Sequence, residues 1–424
     1  MEKSLFFISR HKNLILFSLL FSTLLFLRFY ALDTKSPFGW DQVNNAWAAK
    51  GIIVDHKILL LGFQAKLNSG IYIGPFYYYL IAIAYFLTNL DPIASGIFAG
   101  VTSIFTFFTL FYIAKKLFSI DAAFIAVFIN TVGFFGIMFD RIQVPINFIP
   151  AISIIIFYSL YKILIGKPKY LLLLGFALGF SVHIHASSIY YLFIILLSLP
   201  FFPKTKEMLK NAVISFFVFT LFLVPSIIAF LQNSNHVSAG LGYGQTYYHG
   251  LHLKRVLQLF NDALIQFEPI LTFSILKPLK FVFIPVFIFV YLFKSVSREK
   301  LLFCYLVVLW FLVPWFSLST YSGEISDYYF STSRFVGIII ISYLLAKLFQ
   351  LKNAIINIIL LCFLLYYAAF NINKFMLLQG GGLSATKQGV LQSIKEGKRI
   401  EYKEGSADSY TYYYYMWRKG KKVY

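Results

Sequence analysis

The sequence predicts an all-α membrane protein that crosses the bilayer about eleven times. Of its 424 residues, 59% are hydrophobic and only 13% are charged, and the mean hydropathy is +0.75. A soluble domain carries about 25% charged residues, so the composition excludes a soluble protein. Apolar runs of about 15–21 residues also recur along the chain, and each is long enough to cross or nearly cross roughly 30 Å of hydrocarbon.

The first apolar run follows a short basic segment and lacks the small-residue pattern that precedes a signal-peptide cleavage site. We therefore read it as an uncleaved first span. Taken in order, the predicted spans lie near 14–32, 93–113, 121–139, 147–165, 170–184, 187–201, 211–231, 279–294, 301–317, 334–350 and 354–373.

The basic residues, which give the chain a net charge of +20, predict its orientation through their unequal distribution between loops. If residues 75–88 form an interfacial helix rather than a span, sixteen basic residues fall in short loops on one side of the membrane. The loops on the other side are much longer and hold only nine. Because basic loops stay in the cytoplasm, the N-terminus is expected inside and the C-terminus outside a plasma membrane. The positive charge is expected to interact with membrane lipids, and no nucleic-acid partner is expected.

The first outer loop, residues 33–92, differs from the other connections because it is long and carries Asp41. Residues 42–57 have apolar side chains at helical spacing, and 75–88 is rich in aromatic residues, so we expect two interfacial helices. Asp41 has two interpretations: it caps the N-terminus of the helix that follows, or it is a catalytic carboxylate.

The predicted transmembrane domain covers residues 1–373. Residues 374–424 form a small outward-facing tail with a glycine linker at 380–382, two short helices and a strand. The loop 232–278 is rich in Gly, Tyr and His, and is either an ordered lid or a mobile connector.

Several polar residues at the predicted outer ends of spans are candidates for chemistry. Asp140 and Arg141 are either an ion pair at a helix end or a second carboxylate with an arginine that grips a phosphate. His183 and His185 do not share a helix face, which makes them a weak metal site. Arg334 is either a membrane-interface anchor or a phosphate ligand.

The order of these residues resembles the C-type glycosyltransferases that use lipid-linked sugars, in the branch of protein O-mannosyltransferases and lipid A aminoarabinose transferases. The resemblance covers about the first 200 residues. It lies in one span followed by Asp41, then Gly74-Pro75-Phe76-Tyr77-Tyr78-Tyr79-Leu80, Leu90-Asp91-Pro92, Asp140-Arg141 through Asn147, and Gly175-Phe176-Ala177-Leu178-Gly179 leading to His183-Ile184-His185.

The resemblance implies inverting transfer of a sugar from a polyprenyl-phosphate carrier to a hydroxyl of a glycan, lipid or protein acceptor. Asp41 resembles the family's first acidic position and would be the base, and Asp140 resembles the second. The expected substrate-binding residues are Lys66, Arg141 and Arg334 for the phosphate, Tyr77 and Tyr78 for the sugar, and His183 and His185.

The sequence departs from the family at two places, and both bear on the cofactor. Gln42 stands where the family often has Glu, and Ser95-Gly96 where it often has a basic residue. Whether a divalent cation assists the phosphate therefore stays open. Two other classes also stay open: a transporter or lipid flippase, which usually carries ionisable residues in mid-span, and a polysaccharide polymerase or ligase, which would use a later loop such as 232–278.

Overall fold

The chain is helical along most of its length in the computed structural model, which describes residues 2–66, 69–233, 235–267, 273–378 and 380–422. The α-helices of the first half are α1 Glu2–Phe29, α2 Leu32–Lys35, α3 Trp40–Ile53, α4 Phe76–Leu87, α5 Ala94–Leu117, α6 Ile120–Val132, α7 Phe134–Phe139, α8 Ile149–Leu164, α9 Tyr170–Ser181 and α10 Ile189–Ser198.

The second half continues the same architecture. Its α-helices are α11 Lys206–Gln232, α12 Asn235–Tyr247, α13 Leu253–Ala263, α14 Phe283–Leu292, α15 Arg298–Ser319, α16 Arg334–Phe349, α17 Ala354–Met376, α18 Gly382–Lys395 and α19 Ala407–Arg418. Short 3₁₀ helices connect several of them: Pro145–Phe148, Ala186–Ser188, Leu199–Phe201, Ile265–Phe267, Ser274–Phe281 and Asp327–Ser333. In the described residues there is no β-strand, only the isolated bridges Gln64–Tyr72 and Tyr248–Tyr321.

The structure confirms the all-α membrane fold class. Within the part of the chain that the structure describes, seven helical segments are long and apolar enough to cross a membrane, and five shorter apolar helices accompany them. Each of the eleven predicted spans coincides with a helix, but those in α6, α9, α10 and α14 are shorter than predicted. The two helices expected in the first loop are present as α3 and α4.

Polar residues begin several helices at the short basic connections. Ser119, Thr205, Ser297 and Asn353 each accept a hydrogen bond from the backbone N–H three residues later. These side chains satisfy donors that the first turn of a helix leaves free. The boundaries of these helices thus follow from local sequence.

The chain divides into two compact units. The first comprises Met1–Ile53, Ile81–Asn147 and Leu345–Tyr424. Its core includes aromatic contacts between α1 and α5, such as Phe17 with Phe107 at 5.5 Å and with Phe111 at 5.0 Å between ring centroids. The predicted tail belongs to this unit and contains α18 and α19, whereas the predicted strand is wrong for the described residues 380–422. The predicted boundary between domains at 373 and 374 stays a prediction.

The second unit comprises Val54–Leu80 and Phe148–Leu344. Its core centres on Trp310, which is fully buried. The indole Nε1 donates to Ser153 Oγ at 2.8 Å, and the ring lies edge-on to Phe157 at 5.0 Å. The loop predicted at 232–278 contains α12 and α13, and its glycine-rich stretch lies within α12.

Candidate active site residues and a cavity

Asp41 lies in the first turn of α3. Its carboxylate has no hydrogen-bond or ion-pair partner in the described part of the chain, and the side chain is exposed. The protein around it still desolvates the carboxyl and raises its pKa. The capping role goes instead to Gln42, whose Oε1 accepts from the Gly39 N–H at 2.9 Å. Asp41 is thus left available as a proton acceptor.

Asp140 is buried and paired with Arg28. Arg28 Nε and Nη2 donate to Asp140 Oδ2 at 3.0 Å and 2.8 Å. The same guanidinium donates to the carbonyls of Asn130 and Thr131 at the end of α6. Such a pair is held by several charge-assisted hydrogen bonds. The geometry supports a structural role for Asp140, with Arg28 rather than Arg141 as its partner.

Arg141 binds the end of α1. Its Nη1 donates to the carbonyls of Leu27 and Arg28, and its Nη2 to that of Tyr30, at 2.8–3.0 Å. A cation at this position complements the negative end of a helix dipole. Burial, and then the charge of Arg28, lowers the pKa of Arg141 to about 10. Because backbone carbonyls already bind this guanidinium, the structure does not favour it as a phosphate ligand.

His183 is fully buried against the Gly74-Pro75 turn. Its Nδ1 accepts from the Phe76 N–H at 3.4 Å and its Nε2 donates to the Phe222 carbonyl at 2.9 Å. The ring therefore joins the turn to α11 through these two hydrogen bonds.

The contact between His183 and Gly74 leads to a first prediction. A Cβ at position 74 would lie 1.9 Å from His183 Nδ1, so Gly74→Ala must displace the imidazole or the turn. We expect a loss of about 1–3 kcal/mol of stability, typical of overpacking, measured as a lower thermal unfolding midpoint in detergent. Gly242→Ala is the control, because nothing lies within 4 Å of its Cβ position and alanine favours a helix by up to about 1 kcal/mol. Equal midpoints for the two variants would contradict the prediction.

The aromatic residues at the start of α4 differ in exposure. Tyr77 is buried and lies edge-on to Phe148, with 6.3 Å between ring centroids. Tyr78 is half-buried and lies 6.4 Å from Phe63. Tyr78 is thus the more accessible of the two to a sugar, and Tyr77 is part of the core of the second unit.

A cavity of about 590 Å³ in the second unit brings together Lys66 and His185. Lys66 has no hydrogen-bond or ion-pair partner in the described part of the chain. Most of the wall is apolar or aromatic. The lining residues with polar atoms in their side chains are Lys66, Ser69, His185, Ser187, Tyr190, Tyr243, Ser317, Tyr248, Thr320, Tyr321 and Tyr329.

His185 is an uncharged lining residue of this cavity. Its Nδ1 accepts from the Ser187 N–H at 3.1 Å and lies 2.9 Å from Ser187 Oγ. Burial lowers the pKa of His185 to about 4, so the imidazole carries no charge near neutral pH. Lys66 is therefore the cation among the lining residues, and the size of the cavity is typical of small-ligand sites. Arg334 begins α16 and is buried, but it does not line the cavity.

The sequence also left some contacts of these residues unpredicted. The position of Arg28 within an apolar run indicated a buried partner, because a charged residue in such a run usually has one. The tyrosines of the cavity come from distant segments and had no such signal. In the described ranges no three His, Cys, Asp or Glu side chains converge, so the structure offers no ready-made cluster for a cation.

The fold is shared with solved structures of ArnT and of an archaeal oligosaccharyltransferase. The chain is similar to ArnT from Cupriavidus metallidurans bound to undecaprenyl phosphate, with a TM-score of 0.57, 11% identity and coverage of 94% of this chain and 74% of ArnT. It is also similar to the oligosaccharyltransferase of Archaeoglobus fulgidus in complex with Zn and sulfate, with a TM-score of 0.60, 13% identity and coverage of 94% and 56%.

A further structure of the Archaeoglobus enzyme, AglB with an inhibitory peptide and a dolichol-phosphate, has a TM-score of 0.58 and 13% identity, with coverage of 96% of this chain and 60% of AglB. The chain therefore spans only about three fifths of the length of AglB. No protein-family model matches the sequence, and no curated protein does. At these identities the likeness establishes the fold.

Proposed function

We propose that this protein is a membrane glycosyltransferase that moves a sugar from a polyprenyl-phosphate carrier to an acceptor hydroxyl. The observation that carries the proposal is the similarity in fold, over 94% of the chain, to a transferase bound to undecaprenyl phosphate. The Archaeoglobus enzyme, in complex with a dolichol-phosphate, supports the same donor class. The acceptor is a glycan, a lipid or a protein.

Asp41 is the proposed base. The acceptor hydroxyl attacks the anomeric carbon from the face opposite the phosphate, and the bond between that carbon and the phosphate oxygen breaks. The hydroxyl proton passes to the Asp41 carboxylate, and the polyprenyl phosphate leaves with its electron pair. A displacement of this kind inverts the anomeric centre, as in inverting glycosidases with a carboxylate base. Asp41 has no side-chain partner among the described residues and its pKa is raised, and both observations support this role.

Lys66 is the proposed contact for an anionic part of a substrate. It lines the cavity of the second unit without a partner in the described residues, and a free ammonium attracts a phosphate as a point charge. The neutral His185 and the surrounding tyrosines would supply hydrogen bonds and stacking surfaces to a sugar. Arg334, Tyr78 and a divalent cation stay as further candidates for binding the donor.

The proposed location is the plasma membrane, with the N-terminus inside and Asp41 on the outer side. The charge distribution supports this orientation, because basic residues concentrate at the short connections ahead of α6, α11, α15 and α17, either in the connection or in the adjoining turns of the helices. An outward-facing acceptor site follows from that orientation.

The test of this function is a transfer assay with the full chain, purified in detergent and returned to lipid vesicles. It is given radiolabelled polyprenyl-phosphate sugars and pools of glycan, lipid and protein acceptors, with and without a divalent cation. Labelled acceptor is the expected product. Uptake or flipping of the labelled lipid without any transfer would instead identify a transporter and overturn the proposal.

A further inference from the structure

The C-terminal segment 380–422 packs along α3, the helix that carries Asp41. At the start of α3, the Trp40 indole lies against the backbone of Gly405. Farther along, the Trp47 ring lies 5.1 Å from the Tyr410 ring, and the Lys50 ammonium lies 5.4 Å above the Tyr413 ring. The segment therefore contacts α3 from its first turn to its last.

The same segment is anchored to the connection between α4 and α5. Asp91 Oδ1 forms an ion pair with Lys387 Nζ at 2.6 Å, and Asp91 Oδ2 accepts from the Tyr414 hydroxyl at 2.8 Å. The Tyr410 hydroxyl donates to the Leu90 carbonyl at 3.2 Å. Since α18 contributes Lys387 and α19 contributes both tyrosines, both helices of the segment are fixed to this connection.

We infer that segment 380–422 is a positioning element that holds the first turn of α3, and with it Asp41, in place for catalysis. This inference rests on the proposed function. Asp41 itself forms no side-chain bond that would orient it, in the described residues, and α3 follows a short connection after α2. The contacts of Trp40 and Trp47 with the tail therefore immobilise the helix, together with the hydrogen bond that Gln42 Nε2 donates to the Gln143 carbonyl at 2.9 Å.

Gly405 is the residue at which this role can be tested. Its φ of +67° is in the left-handed region, and a Cβ there would lie 1.9 Å from Trp40 Cε3. Gly397 has nearly the same φ, +72°, but nothing lies within 4 Å of its Cβ position. Gly405→Ala and Gly397→Ala thus share the backbone strain, and only the first displaces Trp40. Comparing the two variants separates strain in the tail from displacement of α3.

The first measurement is hydrogen exchange of the full-length protein, followed over peptides that contain residues 40–47. We expect Gly405→Ala to lose protection in these peptides, because the displaced indole releases the first turns of α3. Gly397→Ala should keep it. Unchanged protection in Gly405→Ala, or equal losses in the two variants, would overturn the inference. This result does not depend on any transfer activity.

The second measurement is transfer kinetics. A misplacement of about 1 Å can cost about a hundredfold in rate, so we expect kcat of Gly405→Ala to fall by about that factor, with the KM for the donor unchanged. Gly397→Ala should keep both constants. A normal kcat in Gly405→Ala despite faster exchange would reject the positioning role. A wild-type protein without transfer would reject the proposed function instead, and exchange would still decide whether the tail holds α3.

A double variant shows whether the effect passes through Trp40. A Trp40→Ala variant lacks the ring that the Cβ of Gly405→Ala would overlap. Adding Gly405→Ala to this variant should therefore reduce exchange protection no more than adding Gly397→Ala does. Such non-additivity is the signature of two residues in contact. A full additional loss in the double variant would show that Gly405 acts elsewhere and would contradict the inference.

Discussion

Replacing Asp41 with asparagine is expected to reduce sugar transfer at least about a hundredfold, since general base catalysis contributes roughly 10²–10⁴-fold. Asparagine keeps the shape and hydrogen-bonding reach of the side chain but cannot accept a proton. The carboxylate has no partner in the described residues, so the substitution breaks no structural bond. The measurement is kcat in the transfer assay, together with binding of the lipid carrier, which should be preserved.

Asp33→Asn is the matched control for this experiment. Asp33 is also an exposed carboxylate of the first loop and lies on the neighbouring helix α2. Its replacement should leave transfer unchanged. If Asp41→Asn retained near-normal transfer, Asp41 would be removed from the site, and Asp140 would become the candidate despite its ion pair with Arg28.

Removing the Asp140 carboxylate with Asp140→Ala is expected to destabilise the protein by about 3–5 kcal/mol, as for other broken buried pairs. The reason is that Arg28 is fully buried and would keep an uncompensated charge. The measurement is the thermal unfolding midpoint in detergent together with the yield of folded protein. Glu396→Ala is the control, because its ion pair with Lys398 is solvent-exposed. Its loss should leave the unfolding midpoint nearly unchanged.

The double variant Arg28→Met with Asp140→Leu distinguishes a structural Asp140 from a catalytic one. Replacing both members of a buried ion pair by apolar residues is often neutral, so stability should return toward that of the wild type. If Asp140 acts only through Arg28, transfer should return with it. A stable double variant without transfer would restore Asp140 to the catalytic site, and a stable Asp140→Ala protein would show that the ion pair is unimportant.

The sequence alone was enough to predict the helical membrane architecture. Apolar runs, basic connections and capping residues such as Ser119 and Thr205 are local features, and each acts within one or two helical turns. For the same reason the sequence indicated that Asp41 begins a helix in the first loop and that the tail contains two helices. The strand expected in the tail is wrong for the described residues 380–422, where the connection between α18 and α19 forms no regular secondary structure.

Only the tertiary structure decided which groups the polar residues contact. The sequence allowed Asp140 to pair with Arg141 or to face a substrate, but the packing of α1 against α6 brings Arg28 to it across 112 residues of sequence. Likewise, the sequence made His183 a candidate for binding substrate, and the structure places its ring between Gly74 and Phe222. A charged or polar side chain at a helix end fits several roles equally well in sequence. Its role depends on which distant backbone satisfies it, and helix packing alone determines that.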